Sequence, residues 1–308
     1  MDRVSIITTF YNASEFLSIA LESIAKQKID LTLFDIEYIL VNDCSTDQSL
    51  EIVNSFKEKY SNKENFIVNI FDLKENIGCG AARKYGIDQA TGNYFMFLDA
   101  DDYYIHDDFV FRAYTNIKEY KVDIVEYGIL FNQMNGKTMN MVNNDRLLID
   151  KGINGVLLMF KQNTIKFNVW SKIYTRKIIE SFPYNTSREY EDIRTIPIWV
   201  KNANQIIVEN TVEINYRAAT NSIVRNDGIK TRIGTITAIT EMMEYFKDYP
   251  EILKMMYGRS MIDICAIMED KTSNDEGFNE MSKLNTKQLS YIYPNTYKDI
   301  TFNLEDQN

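Results

Sequence analysis

Four short apolar runs, separated by segments with helical periodicity, divide the first hundred residues and limit the fold more than any other feature of the sequence. The runs are rich in β-branched and aromatic residues and read VSIITTF, IEYILVN, FIVNIFD and YFMFLD. Apolar runs of this length indicate buried strands. Buried strands that alternate with helices predict βαβ units, and therefore an α/β fold with a mostly parallel sheet flanked by helices.

The rest of the chain predicts a change of organisation. After residue 102 the pattern is less regular, with loops or irregular edge strands expected over residues 136–150 and separate strands over 205–208 and 212–217. From residue 229 the sequence is helical and holds seven of the chain's 13 methionines. We therefore expect an α/β domain over residues 1–228 and a C-terminal helical region over residues 229–308. Methionine most often fills cores, although its adaptable side chain also suits an oligomerisation or membrane-docking surface.

Charge and cysteine content indicate where the protein works and exclude one class of ligand. A net charge of −10 argues against a general nucleic-acid-binding protein, because that activity needs a basic surface. The three cysteines are widely spaced and lack a CxxC pair, which indicates free thiols in a reducing cytosol. The first residues pass into an apolar run without a leader, and no run has the length of a membrane span. We therefore expect a cytoplasmic protein, with peripheral contact at the inner face of the membrane left open.

Each of the four apolar runs is followed by polar, turn-forming residues. These strand ends are residues 9–12, 42–47, 74–78 and 99–102. In open α/β sheets, ligands bind beyond the carboxyl ends of the strands. The convergence of these residues on one sheet edge therefore predicts that the functional site lies there.

The triplet Asp99-Ala100-Asp101 carries the strongest chemical signal. Mg²⁺ and Mn²⁺ prefer hard oxygen ligands, and two carboxylates at a strand end can grip such a metal, or a metal and a ribose, against a diphosphate. A helix cap or a solvated turn is the alternative interpretation. The position of the triplet directly after YFMFL favours the metal site. His106, the single histidine, is interpreted as a surface or loop residue, and a role as a further metal ligand stays open.

The first two strand ends suggest contacts to a nucleoside. Asp43 follows the second run, where its carboxylate can accept a hydrogen bond from a pyrimidine ring N–H. Thr9 and Tyr11 follow the first run and can line the base or the ribose. Helix capping for Asp43, and simple turn formation for the other two, are the alternatives.

The segment NIGCGAAR, residues 76–83, resembles a phosphate loop but differs from a dinucleotide fingerprint. Arg83 stands where the final glycine of GxGxxG is required, and the segment follows the third run rather than the first. Arg83 opens a helix, from which it can pair with a diphosphate or hold the Asp99 region. An ordinary surface arginine is the alternative.

Glu191 and Asp192 open an apolar helix and supply a candidate base. Acidic residues are favoured at a helix N-terminus by the backbone dipole, which is a structural reason for their presence. The same placement fixes a carboxylate in the way that a general base for an acceptor hydroxyl requires. Upstream, Trp170 is either a platform for an acceptor sugar or a core residue.

Together these motifs resemble family 2 glycosyltransferases with the GT-A fold, of the bacterial surface-polysaccharide or cell-wall glycan type. The resemblance covers roughly residues 1–225 and rests on VSIITTFYN, LVNDCSTDQS, ENIGCGAARKYGIDQATGNYFMFLDADD, NVWSKIYTR, EYEDI and YRAATNSIVR. The chain departs from the family pattern at Cys44, where glycine is usual, and at Thr9 or Phe10, where proline is usual. Neither change removes a functional side chain.

The resemblance implies a metal-dependent, inverting transfer of a hexose or N-acetylhexosamine from a UDP-sugar to a hydroxyl of a glycan or lipid-linked acceptor. Asp192 would be the catalytic base, with Glu191 and Trp170 at the acceptor. The nucleotide-sugar would be bound by Thr9, Tyr11, Asp43, Asn76, Arg83 and Asp99. Asp101, with Asp99, would hold Mn²⁺ or Mg²⁺. Arg217 and Arg225 would lie in a lid and contact phosphate.

Other functions stay open from the sequence. A sugar-nucleotide pyrophosphorylase is disfavoured, because its basic, glycine-rich loop would occupy the place of TTFYN. A non-catalytic nucleotide-sugar or carbohydrate-binding module is disfavoured by the intact acidic residues. Whether the C-terminal helices form a homo-oligomer also stays open from the sequence.

Overall fold

A computed structural model describes residues 1–132, 137–217, 228–269 and 275–294 of the 308-residue chain. The strands of its first hundred residues are β1 (Asp2–Phe10), β2 (Phe34–Asn42), β3 (Phe66–Asp72) and β4 (Tyr94–Phe97). They alternate with the helices α1 (Leu17–Ala25), α2 (Ser49–Lys59) and α3 (Cys79–Gln89). The predicted alternation of strands and helices is therefore confirmed.

These four strands form the parallel half of the sheet, in the order β3-β2-β1-β4. All nine residues of β2 are buried, as expected for a strand whose two faces are covered by other elements. The chain crosses from β3 past β2 and β1 to reach β4, so the direction of winding reverses between β1 and β4. In α/β sheets this reversal opens a ligand-binding crevice at the carboxyl ends of the strands.

The second half of the sheet contains antiparallel pairings. Its strands are β5 (Tyr103–Tyr104), β6 (Ile124–Asn132), β7 (Thr138–Met141), β8 (Leu147–Asp150), β9 (Lys172–Thr175) and β10 (Gln205–Arg217). The order continues from β4 as β9-β6-β10-β5, with β9 antiparallel to both of its neighbours and β10 parallel to β6. Between β5 and β10 the chain also forms the helices α4 (Phe109–Glu119), α5 (Gly152–Gln162), α6 (Arg176–Ser181) and α7 (Glu191–Asn202).

One detail differs from the sequence prediction, and the expected edge strands are confirmed. The separate strands expected over 205–208 and 212–217 are one strand, β10, whose register against β6 shifts between Val208 and Ile214. The register shifts let β10 continue through the polar residues Glu209, Asn210 and Thr211 without leaving the sheet. The segment over 136–150 contributes β7 and β8, which pair antiparallel with β6 and β10.

The C-terminal helices are α8 (Ile229–Met243), α9 (Pro250–Glu269) and α10 (Asp275–Ile292), with a 3₁₀ turn at Glu244–Phe246. Ile236 and Ile267 are fully buried in an apolar cluster that these helices share with Met281. Met242, Met243 and Met256 are also buried, so core filling explains much of the methionine content. None of the described helices has both the length and the apolar character needed to cross a bilayer.

The chain divides into two compact units. One comprises Met1–Gly155 and Thr164–Thr220, and the other comprises Val156–Asn163 and Asn221–Asn308. The predicted domain boundaries, with an α/β domain over residues 1–228 and a C-terminal helical region over residues 229–308, stay a prediction. All of the candidate site residues named above that the structure describes lie in the first unit.

Candidate active site

The polar strand ends gather at the carboxyl edge of the parallel half-sheet. Thr9 is the penultimate residue of β1, Asp43 follows β2, and Asp99 lies two residues beyond β4. Backbone hydrogen bonds extend this edge beyond the strands, from Asp43 N to Phe10 O at 2.9 Å and from Leu98 N to Ile7 O at 3.0 Å. The predicted convergence of these residues follows from the parallel register.

Asp43 fixes the loop that leads into α3. Its carboxylate accepts hydrogen bonds from the backbone N–H of Ile77 at 2.7 Å and of Gly78 at 2.9 Å. Asn76 Nδ2 donates to the Asp43 carbonyl oxygen at 3.1 Å. Asp43 therefore holds the loop in front of α3 without capping a helix, and its predicted nucleoside contact stays a prediction.

The same loop is held from its other side by Arg188, which sequence reasoning missed. Its guanidinium donates to Asn76 Oδ1 at 2.7 Å and to the Asn76 carbonyl oxygen at 2.6 Å. Gly78 has φ +92°, and an added Cβ would lie 2.6 Å from Arg188 Cγ. Thr9 Oγ1 lies 3.8 Å from Cys79 Sγ, and the ring of Tyr11 is about half exposed at this edge.

Three carboxylates lie together after β4. One oxygen of each of Asp99, Asp101 and Asp102 lies within 4.8 Å of the others. Asp102 is fully buried and accepts a hydrogen bond from the backbone N–H of Arg217 at 2.9 Å, while its Oδ2 has no hydrogen-bond partner among the described residues. Burial raises the pKa of Asp102 well above its usual range, and the charges of Asp101 and Asp99 raise it further.

This acidic cluster fits a hard divalent cation. It offers only carboxylate oxygens, and a buried oxygen without a partner is a group that a cation would satisfy. The sequence prediction named Asp99 and Asp101 but missed Asp102, although Asp102 directly follows the predicted triplet. His106 lies outside the cluster, with Nδ1 2.9 Å from Glu213 Oε2.

Arg83 connects the acidic cluster to the start of α7. Its side chain is only 4% exposed. One terminal nitrogen donates to Asp99 Oδ1 at 2.8 Å, and the other donates to Glu191 Oε1 at 2.6 Å and to the Tyr184 hydroxyl at 2.7 Å. Of the alternatives for Arg83, a surface arginine is wrong, and holding the Asp99 region is what the geometry shows.

Asp192 lies beside Arg83 at the first turn of α7. Its Oδ1 accepts a hydrogen bond from the Tyr184 hydroxyl and lies 3.6 Å from an Arg83 nitrogen, and its Oδ2 accepts from the backbone N–H of Val169 at 3.1 Å. Burial raises the pKa of Asp192 to about 7, and the charge of Glu191 adds to this shift, while Arg83 and the Tyr184 hydrogen bond oppose it. A carboxylate with this pKa can accept a proton near neutral pH.

A stack of aromatic rings begins at Trp170, which directly follows the Val169 that donates to Asp192. The ring of Trp170 lies parallel to that of Tyr216, at 5.4 Å between centroids and 3° between planes. Tyr216 in turn stacks on Phe131 at 5.4 Å and 12°. Trp170 is only 8% exposed, and one face of its ring is covered by Tyr216. Its predicted role in acceptor binding stays a prediction.

Arg217 binds protein groups beside the acidic cluster. It donates to the carbonyl oxygens of Asp101 and, at 3.1 Å, of Phe16. Its guanidinium lies over the rings of Phe16 and Tyr103, at 5.2 and 5.5 Å from their centroids. Arg217 thereby anchors the backbone of the loop that carries the acidic cluster. The predicted partner in the lid, Arg225, lies outside the described residues.

Comparisons with known proteins identify the family of the chain. The family model for glycosyl transferase family 2 matches residues 5–187, which is more than half of the chain. Glycosyltransferase GlyA of Streptococcus pneumoniae serotype 4 is 31% identical over 199 residues, covering 62% of this chain and 27% of that protein. Cholesterol galactosyltransferase of Borreliella burgdorferi is 30% identical over 229 residues, covering 70% of this chain and 60% of that protein.

Other relatives are matched over a smaller share of their length. Poly(ribitol-phosphate) β-N-acetylglucosaminyltransferase TarS of Staphylococcus aureus is 36% identical over 125 residues, which covers 41% of this chain and 20% of that protein. The chain thus spans about a quarter or less of several curated relatives that it matches.

Solved structures share the fold. The crystal structure of S. aureus TarS 1-349 in complex with UDP-GlcNAc superposes with a TM-score of 0.68 at 21% identity, covering 94% of this chain and 81% of that chain. The mannosyltransferase PcManGT from Pyrobaculum calidifontis, in complex with GDP-Man and Mn²⁺, gives a TM-score of 0.58 at 13% identity, with 100% and 88% covered. The GT-A fold predicted from the sequence is confirmed. By the match of its family model over residues 5–187, the chain belongs to glycosyltransferase family 2.

Proposed function

We propose that the protein transfers a hexose or N-acetylhexosamine from a UDP-sugar to a hydroxyl of a cell-envelope glycan or lipid-linked acceptor, with inversion at the anomeric carbon. One observation carries this proposal. Arg83 pairs with both Asp99 and Glu191, so the acidic cluster for the donor and the candidate base at α7 belong to one buried network. A transferase needs its donor site and its catalytic base to be held at a fixed distance from each other.

The donor side is formed by the carboxyl ends of β1, β2 and β4. Thr9, Tyr11 and Asp43 surround the nucleoside position, and the Asn76 loop and Arg83 support it. Asp99, Asp101 and Asp102 would hold Mn²⁺ or Mg²⁺, which when bound neutralises charge on a diphosphate leaving group. The structure of PcManGT in complex with GDP-Man and Mn²⁺ supports this assignment by analogy of fold.

Asp192 acts as the base in a single displacement. It takes the proton of the acceptor hydroxyl while that oxygen forms a bond to the anomeric carbon of the sugar. The bond between that carbon and the diphosphate oxygen breaks at the same time, and both of its electrons leave with UDP. The Tyr184 hydroxyl donates to one oxygen of the carboxylate and the Val169 N–H donates to the other. These two bonds fix the orientation of the carboxylate, and with it the direction of the lone pairs that accept the proton.

The names of the relatives support an acceptor in the cell envelope. TarS is a poly(ribitol-phosphate) β-N-acetylglucosaminyltransferase, and a Staphylococcus epidermidis relative is a teichoic acid poly(glycerol phosphate) polymerase. Polyol phosphates and glycans both present hydroxyls to a base, which is what the proposed step requires. A cytoplasmic location at the membrane face, where lipid-linked acceptors are reached, is part of the proposal. Homo-oligomer formation through the C-terminal helices stays a prediction.

Release of UDP from a panel of UDP-sugars, with Mn²⁺ and candidate acceptors, tests the proposal. Asp101→Ala and Asp192→Ala should each lower acceptor-dependent UDP release by about 100-fold or more. Asp88→Asn is the matched control, because Asp88 is exposed and its ion pair within the described part of the chain is with Lys84 on the surface of α3. Full turnover in either active-site variant would overturn the assigned roles. UDP binding without any turnover would favour the alternative of a non-catalytic nucleotide-sugar-binding module.

A further inference from the structure

A buried ion pair lies behind the candidate base and has no part in the step described above. Glu126 on β6 and Lys172 on β9 are register partners, and both side chains are 0% exposed. Lys172 Nζ lies 3.3 Å from Glu126 Oε2. Removing two charges from water is costly, and apolar residues of similar volume often serve stability as well or better. The pair therefore calls for an explanation beyond packing.

Both members of the pair bind the backbone of residues 166–168. Lys172 Nζ donates to the carbonyl oxygens of Lys166 at 2.9 Å and of Asn168 at 2.7 Å. The Glu126 carboxylate accepts from the backbone N–H of Lys166 at 3.0 and 3.1 Å, and from Lys166 Nζ at 3.2 Å. Charged side chains thus bind both a backbone N–H and two backbone carbonyl groups of this short segment.

One peptide group connects this segment to the base. The carbonyl of Asn168, which accepts from the Lys172 ammonium, belongs to the same peptide unit as the N–H of Val169. That N–H donates to Asp192 Oδ2 at 3.1 Å. Because the peptide unit is planar, fixing its carbonyl also fixes the direction of its N–H. A cation on the carbonyl polarises the unit and strengthens the N–H as a donor.

We propose that Lys172, held by Glu126, is a positioning residue for Asp192, acting through the peptide between Asn168 and Val169. This inference rests on the proposed function, in which Asp192 is the base. The ammonium sets the plane and polarity of that peptide, which keeps the carboxylate oriented and favours its ionised form. Charged and titratable groups that act on Asp192 from the packed elements are Arg83, Asp99, Lys172, Tyr174, Tyr184 and Glu191.

The test is the pH profile of kcat/KM for sugar transfer, measured with Lys172→Met and Glu126→Gln. The methionine keeps most of the side-chain volume but removes the donor, and the glutamine keeps the shape but removes the charge. Both changes loosen the peptide, so both should move the acid limb of the profile to higher pH by about half a unit to one unit. The KM for the UDP-sugar should stay within about twofold of the wild-type value.

A matched control separates this role from general stability. Arg3→Met removes the partner of another buried carboxylate, Asp35, which accepts from Arg3 at 2.7 and 2.8 Å near the amino end of β1. This control should lower stability without moving the acid limb. An unmoved limb in the two test variants would overturn the proposal, as would shifts in opposite directions, which a simple charge effect produces. If Lys172→Met does not fold, Glu126→Gln carries the test.

The outcomes also distinguish this inference from the proposed function. If Asp192→Asn keeps full turnover, the base is misassigned and the proposed mechanism fails with it. If Asp192→Asn is inactive while the Lys172 and Glu126 variants keep the wild-type profile, the base stands and only the positioning role is wrong.

Discussion

The guanidinium of Arg83 donates a hydrogen bond to the carboxylate of Asp99 at 2.8 Å, from a position where the arginine is almost completely buried. The second terminal nitrogen of Arg83 reaches Glu191 at the start of α7. A single side chain therefore links the two halves of the proposed reaction centre. Replacing Arg83 therefore tests whether the two halves depend on this link.

Replacing Arg83 with methionine should impair both folding and activity. The variant leaves buried carboxylates without their cation, a loss that costs about 3–5 kcal/mol in comparable buried pairs. We expect kcat/KM to fall by about 100-fold or more, because Asp99 and Glu191 lose their common anchor. Urea unfolding and UDP-release kinetics measure the two effects.

Lys84→Met on the same helix is the control for Arg83→Met. Lys84 pairs with Asp88 at the surface, where such pairs contribute little. The Lys84→Met variant should therefore keep both its stability and its kcat/KM close to the wild-type values. An Arg83 variant that behaves like this control would contradict the linking role.

The pH dependence of transfer should report Asp192. Because its pKa is raised to about 7 and the base must be ionised, log kcat/KM should rise with unit slope up to about pH 7 and then level off. Asp192→Asn should abolish this limb together with most of the activity. A wild-type profile that is flat between pH 5 and 8 would argue against this base.

The same pKa shift has a consequence for stability, with a definite sign. The native carboxyl binds its proton more tightly than the unfolded chain, where an aspartate titrates near pH 3.9. The contribution of Asp192 to stability is therefore greatest below that value and is lost as the pH rises to about 7. Asp192→Asn should remove this dependence, so the variant should lose less stability than the wild type between pH 4 and pH 7. Urea midpoints at a series of pH values check the prediction.

Asp102 should contribute to metal affinity. Its buried Oδ2 has no partner among the described residues, so a bound cation gains a ligand there. Asp102→Asn should weaken Mn²⁺ binding in the presence of UDP by about tenfold or more. Thermal unfolding at increasing Mn²⁺ measures this, because ligand binding stabilises the native state by mass action. Asp107→Asn, an exposed neighbour, is the control; an equal response to Mn²⁺ in both variants would exclude Asp102 as a ligand.

Gly80 should tolerate no side chain. A Cβ there would overlap the carbonyl oxygen of Ser187 and lie 2.8 Å from that of Asn185, so the segment that carries Tyr184 must move. Gly80→Ala should lower stability by about 1–3 kcal/mol and reduce transfer. Gly258→Ala is the opposite case, because beyond its own helix no atom of the described residues lies within 4 Å of a Cβ added there. This variant should raise stability by about 0.5–1 kcal/mol. Equal changes in the urea unfolding midpoint for the two variants would contradict the tight packing around Gly80.

Local patterns were enough to predict the parallel half of the sheet and the convergence of its polar strand ends. The runs that form β1, β2 and β4 are largely buried on both faces, whereas β3 lies at the sheet edge and is partly exposed. A parallel sheet must bring the carboxyl ends of these strands together. Asp43, Asp99 and Asp101 could therefore be placed from strand ends alone. Glu191 was likewise predicted from the helix that it opens, and α7 does begin there.

The parts that escaped prediction depend on distant contacts. The four residues of β9 carry no information on strand direction, which is set by pairing with β4 and β6. Tyr184 lies in an irregular stretch, and its importance is visible only once Arg83 and Asp192 are beside it. Asp102 was passed over because its burial follows from β10 packing, where the Arg217 N–H meets it.

The configuration of the product is the most direct test of the central claim that Asp192 activates the acceptor for one displacement at the anomeric carbon. With a UDP-α-sugar that the enzyme accepts, NMR of the isolated product should show a β linkage, and Asp192→Asn should form almost none of it. An α-linked product, or the same β-linked product at an undiminished rate from Asp192→Asn, would contradict the account.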